Sequence, residues 1–219
     1  MARFASILAM LALALVLALG ALIVAYRFVT PASTLMLARR LEGAPVERAF
    51  VPLERISPYL PAAVIASEDA KFCRHHGVDW GELRAVMKAA GADGPSRGAS
   101  TISMQTVKNL LLWPGRSSLR KAIEIPLALV ADLVWGKRRT LELYLNVAEW
   151  GDGVFGAQAA AQRYFGKSAD RLDARQAALL AASLPNPKAR DPGRPSRFLS
   201  RRAATIEARM READVSCLK

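Results

Sequence analysis

Cysteine is nearly absent from this sequence: Cys73 and Cys217 are the only two in 219 residues. Two thiols so far apart in sequence suggest neither a disulfide framework nor a zinc site, and they are expected to stay unpaired even in an oxidising compartment. Apolar–polar alternation is missing as well. No segment alternates convincingly for more than about four residues, which argues against a fold built on sheets, and no internal repeat supports a solenoid. Acidic residues are in deficit, with 19 Asp and Glu against 31 Lys and Arg, a formal charge of +12. That imbalance points to an anionic partner, whether nucleic acid, a phospholipid surface or a phosphorylated substrate, without choosing among them.

What the sequence does have is one long apolar run. Phe4 to Tyr26 carries no charge and is rich in Leu, Ala, Val and Ile. As a helix it would extend about 34 Å, enough to cross a hydrocarbon core of roughly 30 Å. A cleaved signal peptide would have an apolar core of only about 7–15 residues and a small-x-small site, which is not evident before Arg27, so the run reads as an uncleaved single-pass anchor. Arg3 and the amino terminus on one side face Arg27, Arg39 and Arg40 on the other. Those charges lean slightly against a domain outside the cytoplasm. The chain then divides into an anchor over 1–30, a juxtamembrane linker over 31–57 broken by Gly43 and Pro45, and a single soluble domain over 58–219.

From Pro61 onward the periodicity is helical. Val64, Ile65 and Phe72 recur at three- and four-residue spacings up to Gly77, which predicts one helix with Glu68 and Phe72 on a shared face. Leu83 to Ala90 reads as a short helix and Gly91 to Gly98 as a mobile loop. Ser100 or Thr101 caps a helix through Gln105, Lys108 and Leu111 that stops near Pro114. Ser117 or Ser118 caps the next, where Pro126 should force a bend because it cannot donate to the carbonyl at 122. Arg139 to Ala148, Ala157 to Tyr164, Ala174 to Leu184 and Ser196 to Glu212 complete a mainly α chain.

Several clusters invite chemical readings. Ser67 to Asp79 gathers the adjacent carboxylates Glu68 and Asp69, both histidines and Cys73. The apolar residues around Glu68 would partly desolvate it, a condition under which a carboxylate serves as general base near neutral pH, although a solvated helix surface is an equal reading of the pattern. Adjacent His75 and His76 point about 100° apart on a helix and match no zinc pattern, so a structural role is preferred. Gly151, Gly153 and Gly156 spell a dinucleotide fingerprint, but helical periodicity precedes them where a strand is required. Ser118-Leu119-Arg120-Lys121 fits Ser-x-x-Lys, yet the sequence has no Lys-Thr-Gly partner for a serine acyl-enzyme. Lys108 lies two turns into a helix whose free N–H groups suit an anion, and Arg120, Lys121 and Glu124 can line one face, though an ordinary surface ion pair has the same spacing.

In order, these segments resemble the glycosyltransferases that polymerise lipid II into peptidoglycan, specifically the monofunctional, membrane-anchored kind. Glu68, Asp69, Phe72, His75 and Gly77 match Glu-Asp-x-x-Phe-x-x-His-x-Gly, and Gly98, Ser100, Thr101, Gln105, Lys108 and Asn109 match Gly-x-Ser-Thr-x-x-x-Gln-x-x-Lys-Asn. Arg120, Lys121 and Glu124 give Arg-Lys-x-x-Glu; Glu142, Tyr144, Leu145 and Asn146 form the fourth motif. The likeness spans about Pro31 to Met210, with Ala99 in place of a common Gly and Asp132 in place of a common Glu.

The resemblance implies a lysozyme-like helical domain whose larger and smaller lobes flank a cleft near the membrane. It implies polymerisation of lipid II with release of undecaprenyl diphosphate, Glu68 acting as general base. Glu124 would be catalytic too, orienting the cations or holding a divalent ion such as Mg or Mn, with no cofactor otherwise called for. Asp69, Phe72, His75, Ser100, Thr101, Gln105, Lys108, Asn109, Arg120 and Lys121 would bind substrate. The implied partners are lipid II, the nascent glycan strand, membrane phospholipid and cell-wall synthesis or division proteins, not nucleic acid. The implied location is the bacterial cytoplasmic membrane with the domain in the periplasm, cross-linking being left to another protein. Two rival readings are a lysozyme-like lytic transglycosylase or hydrolase, which needs no pyrophosphate clamp, and a noncatalytic membrane scaffold relying on Arg194, Arg197, Arg201 and Arg202.

Overall fold

The computed structural model describes residues 2–89, 98–115 and 117–219, so the loop expected from Gly91 lies outside the described residues as far as 97. Helix α1 (Ala2–Tyr26) leaves its apolar side chains bare, Phe4 68% and Leu17 64% exposed, as a lipid-facing helix would. Only its last turn docks. Trp135 Nε1 donates to the Ile23 carbonyl at 2.7 Å and Arg139 Nε to that of Tyr26 at 3.1 Å, occupying acceptors that a helix end otherwise leaves free.

The stretch from 31 to 57 lies against the body. Helix α2 (Thr34–Leu41) is capped by Ser33, and Thr34 Oγ1 donates to the Leu112 carbonyl at 2.7 Å. Buried Arg39 reaches Asp152 at 2.8 Å, and strand β1 (Glu47–Arg48) pairs in parallel with β3 (Val154–Phe155). Asn146 clamps the Val51 backbone on both sides, accepting from its N–H and donating to its carbonyl, each at 2.9 Å.

Helices α3 (Tyr59–Glu68), α4 (Trp80–Lys88), α5 (Ile102–Leu111) and α6 (Ser118–Val147) follow, then strand β2 (Glu149–Gly151), β3, and α7 (Ala157–Phe165), α8 (Ala174–Ser183) and α9 (Arg197–Arg209). Asp79, Thr101, Ser117, Asp173 and Ser196 each accept a backbone N–H of the first turn they precede, a sequence-local reason for each start. The described residues bury two hydrophobic clusters. One joins α3, α7, α8 and α9 around Trp150, Tyr144 and Phe72; the other joins the end of α1, α2, α5 and one side of α6 around Met104, Trp135 and Phe155. Helix α5 belongs to both, with Ile102 in the first cluster and Met104, Val107 and Leu110 in the second, so it crosses from lobe to lobe.

Four expectations need correction. Strands exist, in the order β1-β3-β2, but with two or three residues each they leave no alternation to read. Gly151, Gly153 and Gly156, already set aside as a dinucleotide fingerprint, fall in and beside that hairpin, Gly153 and Gly156 at positive φ. Pro126 lies within regular α6, whose break falls at Gly136 (φ 67, ψ 172); both Ala122 and Pro126 are exposed, so water can serve the orphaned carbonyl. Helix α3 stops at Glu68, not near Gly77, because the chain leaves helical geometry at Asp69 (φ −160, ψ 73), and Phe72 therefore shares no helix face with Glu68. Finally, Cys73 and Cys217 are bonded, their Cα atoms 5.4 Å apart across 144 residues of sequence.

Candidate active site

Glu68 is the last residue of α3, half-buried where the helix opens into the cleft. Gln105 Nε2, from α5, donates to its Oε2 at 3.1 Å, and Ser67 Oγ donates to its Oε1 at 3.3 Å. Behind Gln105, buried Tyr144 of α6 donates its hydroxyl to Gln105 Oε1 at 3.2 Å. Burial pushes the Tyr144 phenol well above its ordinary pKa, and the nearby Glu68 and Asp69 carboxylates push the same way.

Asp69 turns inward. It accepts from the backbone N–H of Ile102 at 3.0 Å, and His75 Nε2 lies 2.9 and 3.0 Å from its two oxygens. A carboxylate at the first residue of α5 suits the positive end of that helix. It also joins the first motif to the second. Thr101 strengthens the joint by donating to the Gly77 carbonyl at 2.5 Å, and Gly77, at φ +73, packs so tightly that a Cβ there would fall 2.5 Å from the Ala128 carbonyl oxygen of α6. Phe72 is fully buried, with Lys137 Nζ 4.7 Å from its ring centroid. The hydrogen bonds and ring contacts described for Asp69, Phe72 and His75, grouped above with the substrate contacts, are inside the protein, and Asp69 also lines the cavity beside Glu68.

The cations lie along the other wall. Glu124, buried on α6, accepts from Arg120 Nη1 at 2.7 Å and from Lys121 Nζ at 2.6 Å, using both carboxylate oxygens. Lys121 also donates to Ser100 Oγ at 2.7 Å, tying the second motif to the third. Lys108 is different: its ammonium has no hydrogen-bond partner among the described residues and lines a cavity of about 200 Å³ with Asn109, Tyr144 and Leu184. Its pKa is lowered chiefly by burial; Arg120 and Lys121 lower it further, while Glu124 and Glu68 oppose them. A half-buried ammonium flanked by like charge is a group that a nearby anion would stabilise.

Glu68 itself lines a larger cavity of about 320 Å³, together with Lys71, Ser100, Thr101 and Arg209. Glu68, Gln105 and Lys108 thus sit between two hollows. Sequence reasoning missed Arg209, at the far end of the chain, and Ser33, which lines the smaller hollow. No local pattern marks either residue; the fold alone brings them in.

A divalent ion at Glu124 does not fit this arrangement. Both oxygens are already held by cations, and among the described residues no group of three His, Cys, Asp or Glu side chains is placed to hold a metal. Orienting Arg120 and Lys121 is the role the contacts leave for Glu124.

The family model described as Transglycosylase matches residues 35–211, which takes in all of these groups except Ser33. The chain belongs to the transglycosylase family. Relatives named biosynthetic peptidoglycan transglycosylase include one from Rhodospirillum centenum, 55% identical over 210 residues and covering 95% of this chain and 89% of the relative. Another, from Brucella suis biovar 1, is 53% identical over 194 residues, covering 88% and 87%. A third, from Rhodopseudomonas palustris strain TIE-1, is 51% identical over 214 residues, covering 97% and 91%. The lysozyme-like helical fold of transglycosylases accounts for the two lobes meeting at α5. Cys217 lies beyond the end of the transglycosylase match, so half of the disulfide is outside the family pattern.

Proposed function

We propose that this chain polymerises lipid II into glycan strands, the 4-hydroxyl of an acceptor sugar attacking the anomeric carbon of a donor. The new C–O bond forms as the bond from that carbon to the lipid pyrophosphate breaks, and the leaving group carries away the electron pair. Glu68 takes the hydroxyl proton. Lys108, Arg120 and Lys121 meet the negative charge gathering on the pyrophosphate, with Glu124 holding the last two in place. Ser100, Gln105 and Asn109 offer donors and acceptors to sugar and phosphate oxygens. Thr101, Asp69, Phe72 and His75 hold the shape of the corner between the first two motifs. The observation that carries the reading is the pairing of one carboxylate at a helix end, Glu68, with an unpartnered ammonium, Lys108, and a Glu124-bound pair of cations. Hydrolases that cut existing glycan have no pyrophosphate to neutralise.

Polymerisation of purified lipid II by Glu68→Gln tests this. The loss of one general base should cost about 10²–10⁴ in kcat. Near-wild-type strands from that variant, or soluble fragments released from isolated cell wall by the parent, would sink the reading.

Helix α1 fits a single-pass anchor, its candidate span running the 24 residues from Arg3 to Tyr26. An anchor suits a substrate that is itself held in the bilayer. The Cys73–Cys217 bond supports placing the domain on the periplasmic side, against the lean of the flanking charges, since such bonds persist in oxidising compartments. A cysteine introduced at exposed Arg171 should react with a membrane-impermeant maleimide in intact spheroplasts; protection there would reverse the orientation.

A further inference from the structure

We propose that Tyr144 is a positioning residue for Glu68, acting through Gln105: its hydroxyl fixes which way round the Gln105 amide lies, and so keeps an N–H, not a carbonyl, against the base. The inference rests on Glu68 being the general base.

A glutamine amide has a donor end and an acceptor end, and only its neighbours decide which end points where. Gln105 lies between Tyr144 and Glu68, its Oε1 3.2 Å from the phenol oxygen and its Nε2 3.1 Å from Glu68 Oε2. An ionised carboxylate only accepts. Tyr144 is 1% exposed, and Gln105 Oε1 is the acceptor its hydroxyl has among the described residues. Turning the amide over would leave that buried O–H without an acceptor and set a carbonyl oxygen against the carboxylate, so both ends of the relay select the same orientation. Burial keeps the phenol protonated far above neutral pH, so the donor is always present. The relay therefore sets an N–H donor against the carboxylate that is to take the proton, and the two hydrogen bonds, sharing one amide, reinforce each other.

Other charges also face Glu68 and remain when the hydroxyl is removed. Asp69, Lys71 and Asp79 do so from its own side of the cleft, and Glu82 of α4, Lys108 of α5, Arg190 after α8 and Arg209 of α9 from the packed elements. A change seen on deleting one oxygen at Tyr144 reports the relay against that constant background.

The experiment is the pH profile of lipid II polymerisation by the full-length Tyr144→Phe protein beside Glu68→Gln. Tyr144→Phe should lower kcat on the order of 5- to 10-fold, the scale of one hydrogen bond, leave KM for lipid II within about twofold, and move the acid limb up by about half a pH unit or more. Loss of kcat with the acid limb in place would mean a merely structural role, and an unaltered enzyme would mean none; either result overturns the proposal while Glu68→Gln remains inactive. An active Glu68→Gln would instead remove the general-base reading beneath it. Should Tyr144→Phe fail to fold, 3-fluorotyrosine at position 144 keeps the hydroxyl and makes it the stronger donor. The acid limb should then move down, and an unmoved limb overturns the proposal.

Discussion

Lys108 shows how one side chain can be costly to the fold and necessary to the chemistry. Its lowered pKa, caused first by burial, means that the folded protein binds this proton less tightly than the unfolded chain does. The cost to stability is present wherever the ammonium is held and disappears only as pH rises past the unfolded value, so neutral pH carries all of it. Lys108→Met should therefore raise the melting temperature by a few degrees while cutting polymerisation by about 10²–10³, as expected for an electrostatic stabiliser of the leaving group. A fall in melting temperature would contradict the account. The sign also fixes the alkaline side of the activity profile. The ammonium is lost at lower pH than an ordinary lysine's, so Lys108→Arg, whose charge persists, should shift the basic limb upward in whatever activity remains.

The elements show where sequence patterns spoke clearly and where they misled. Helix starts were legible because a cap is local: Thr101 and Ser117 act within three residues. The end of α3 was not, because what draws Asp69 out of the helix is the N–H of Ile102 and the ring of His75, contacts no periodicity records. Gly77 invited the same mistake. It reads as a helix stop, but its task is to let the corner approach α6, with the Ala128 carbonyl where a Cβ would stand. Gly136, also at positive φ, has open space around it. This contrast is testable by chemical denaturation. Gly136→Ala should cost about 1–3 kcal/mol, the backbone penalty alone at φ 67, ψ 172, whereas Gly77→Ala adds a collision with backbone and should cost more than Gly136→Ala, with activity falling as the corner shifts. Equal costs at the two sites would show that the contact with α6 is soft. Pro126 errs in the other direction: the rule against proline inside a helix is weak where the orphaned carbonyl faces water.

At the scale of the whole molecule, the mainly α class, the N-terminal apolar helix and the order of the motifs could be read from the sequence, since composition, periodicity and four spaced signatures carry them. The separation of the site into two hollows could not, because Arg209 and Ser33 come from opposite ends of the chain. The cysteine pair was misjudged for the same reason: separation along the sequence says nothing about closeness in space once α9 brings the tail back to the first motif. Arg74 and Asp214, 3.4 Å apart, join the same two segments. Opening the bond by Cys217→Ser, or by reductant, should lower stability by about 2–5 kcal/mol, seen as a lower melting temperature in detergent; no change would mean that the fold holds the tail unaided.

That bond has a topological consequence too. Residues 73 to 217 close into a covalent ring that contains the cation wall, the Gln105 relay and Tyr144, while Glu68 and helix α1 hang from it as a tail. A protease that cuts the backbone once inside the ring opens it without releasing a fragment: the nicked protein runs as one piece until a reductant is added, and only then as two.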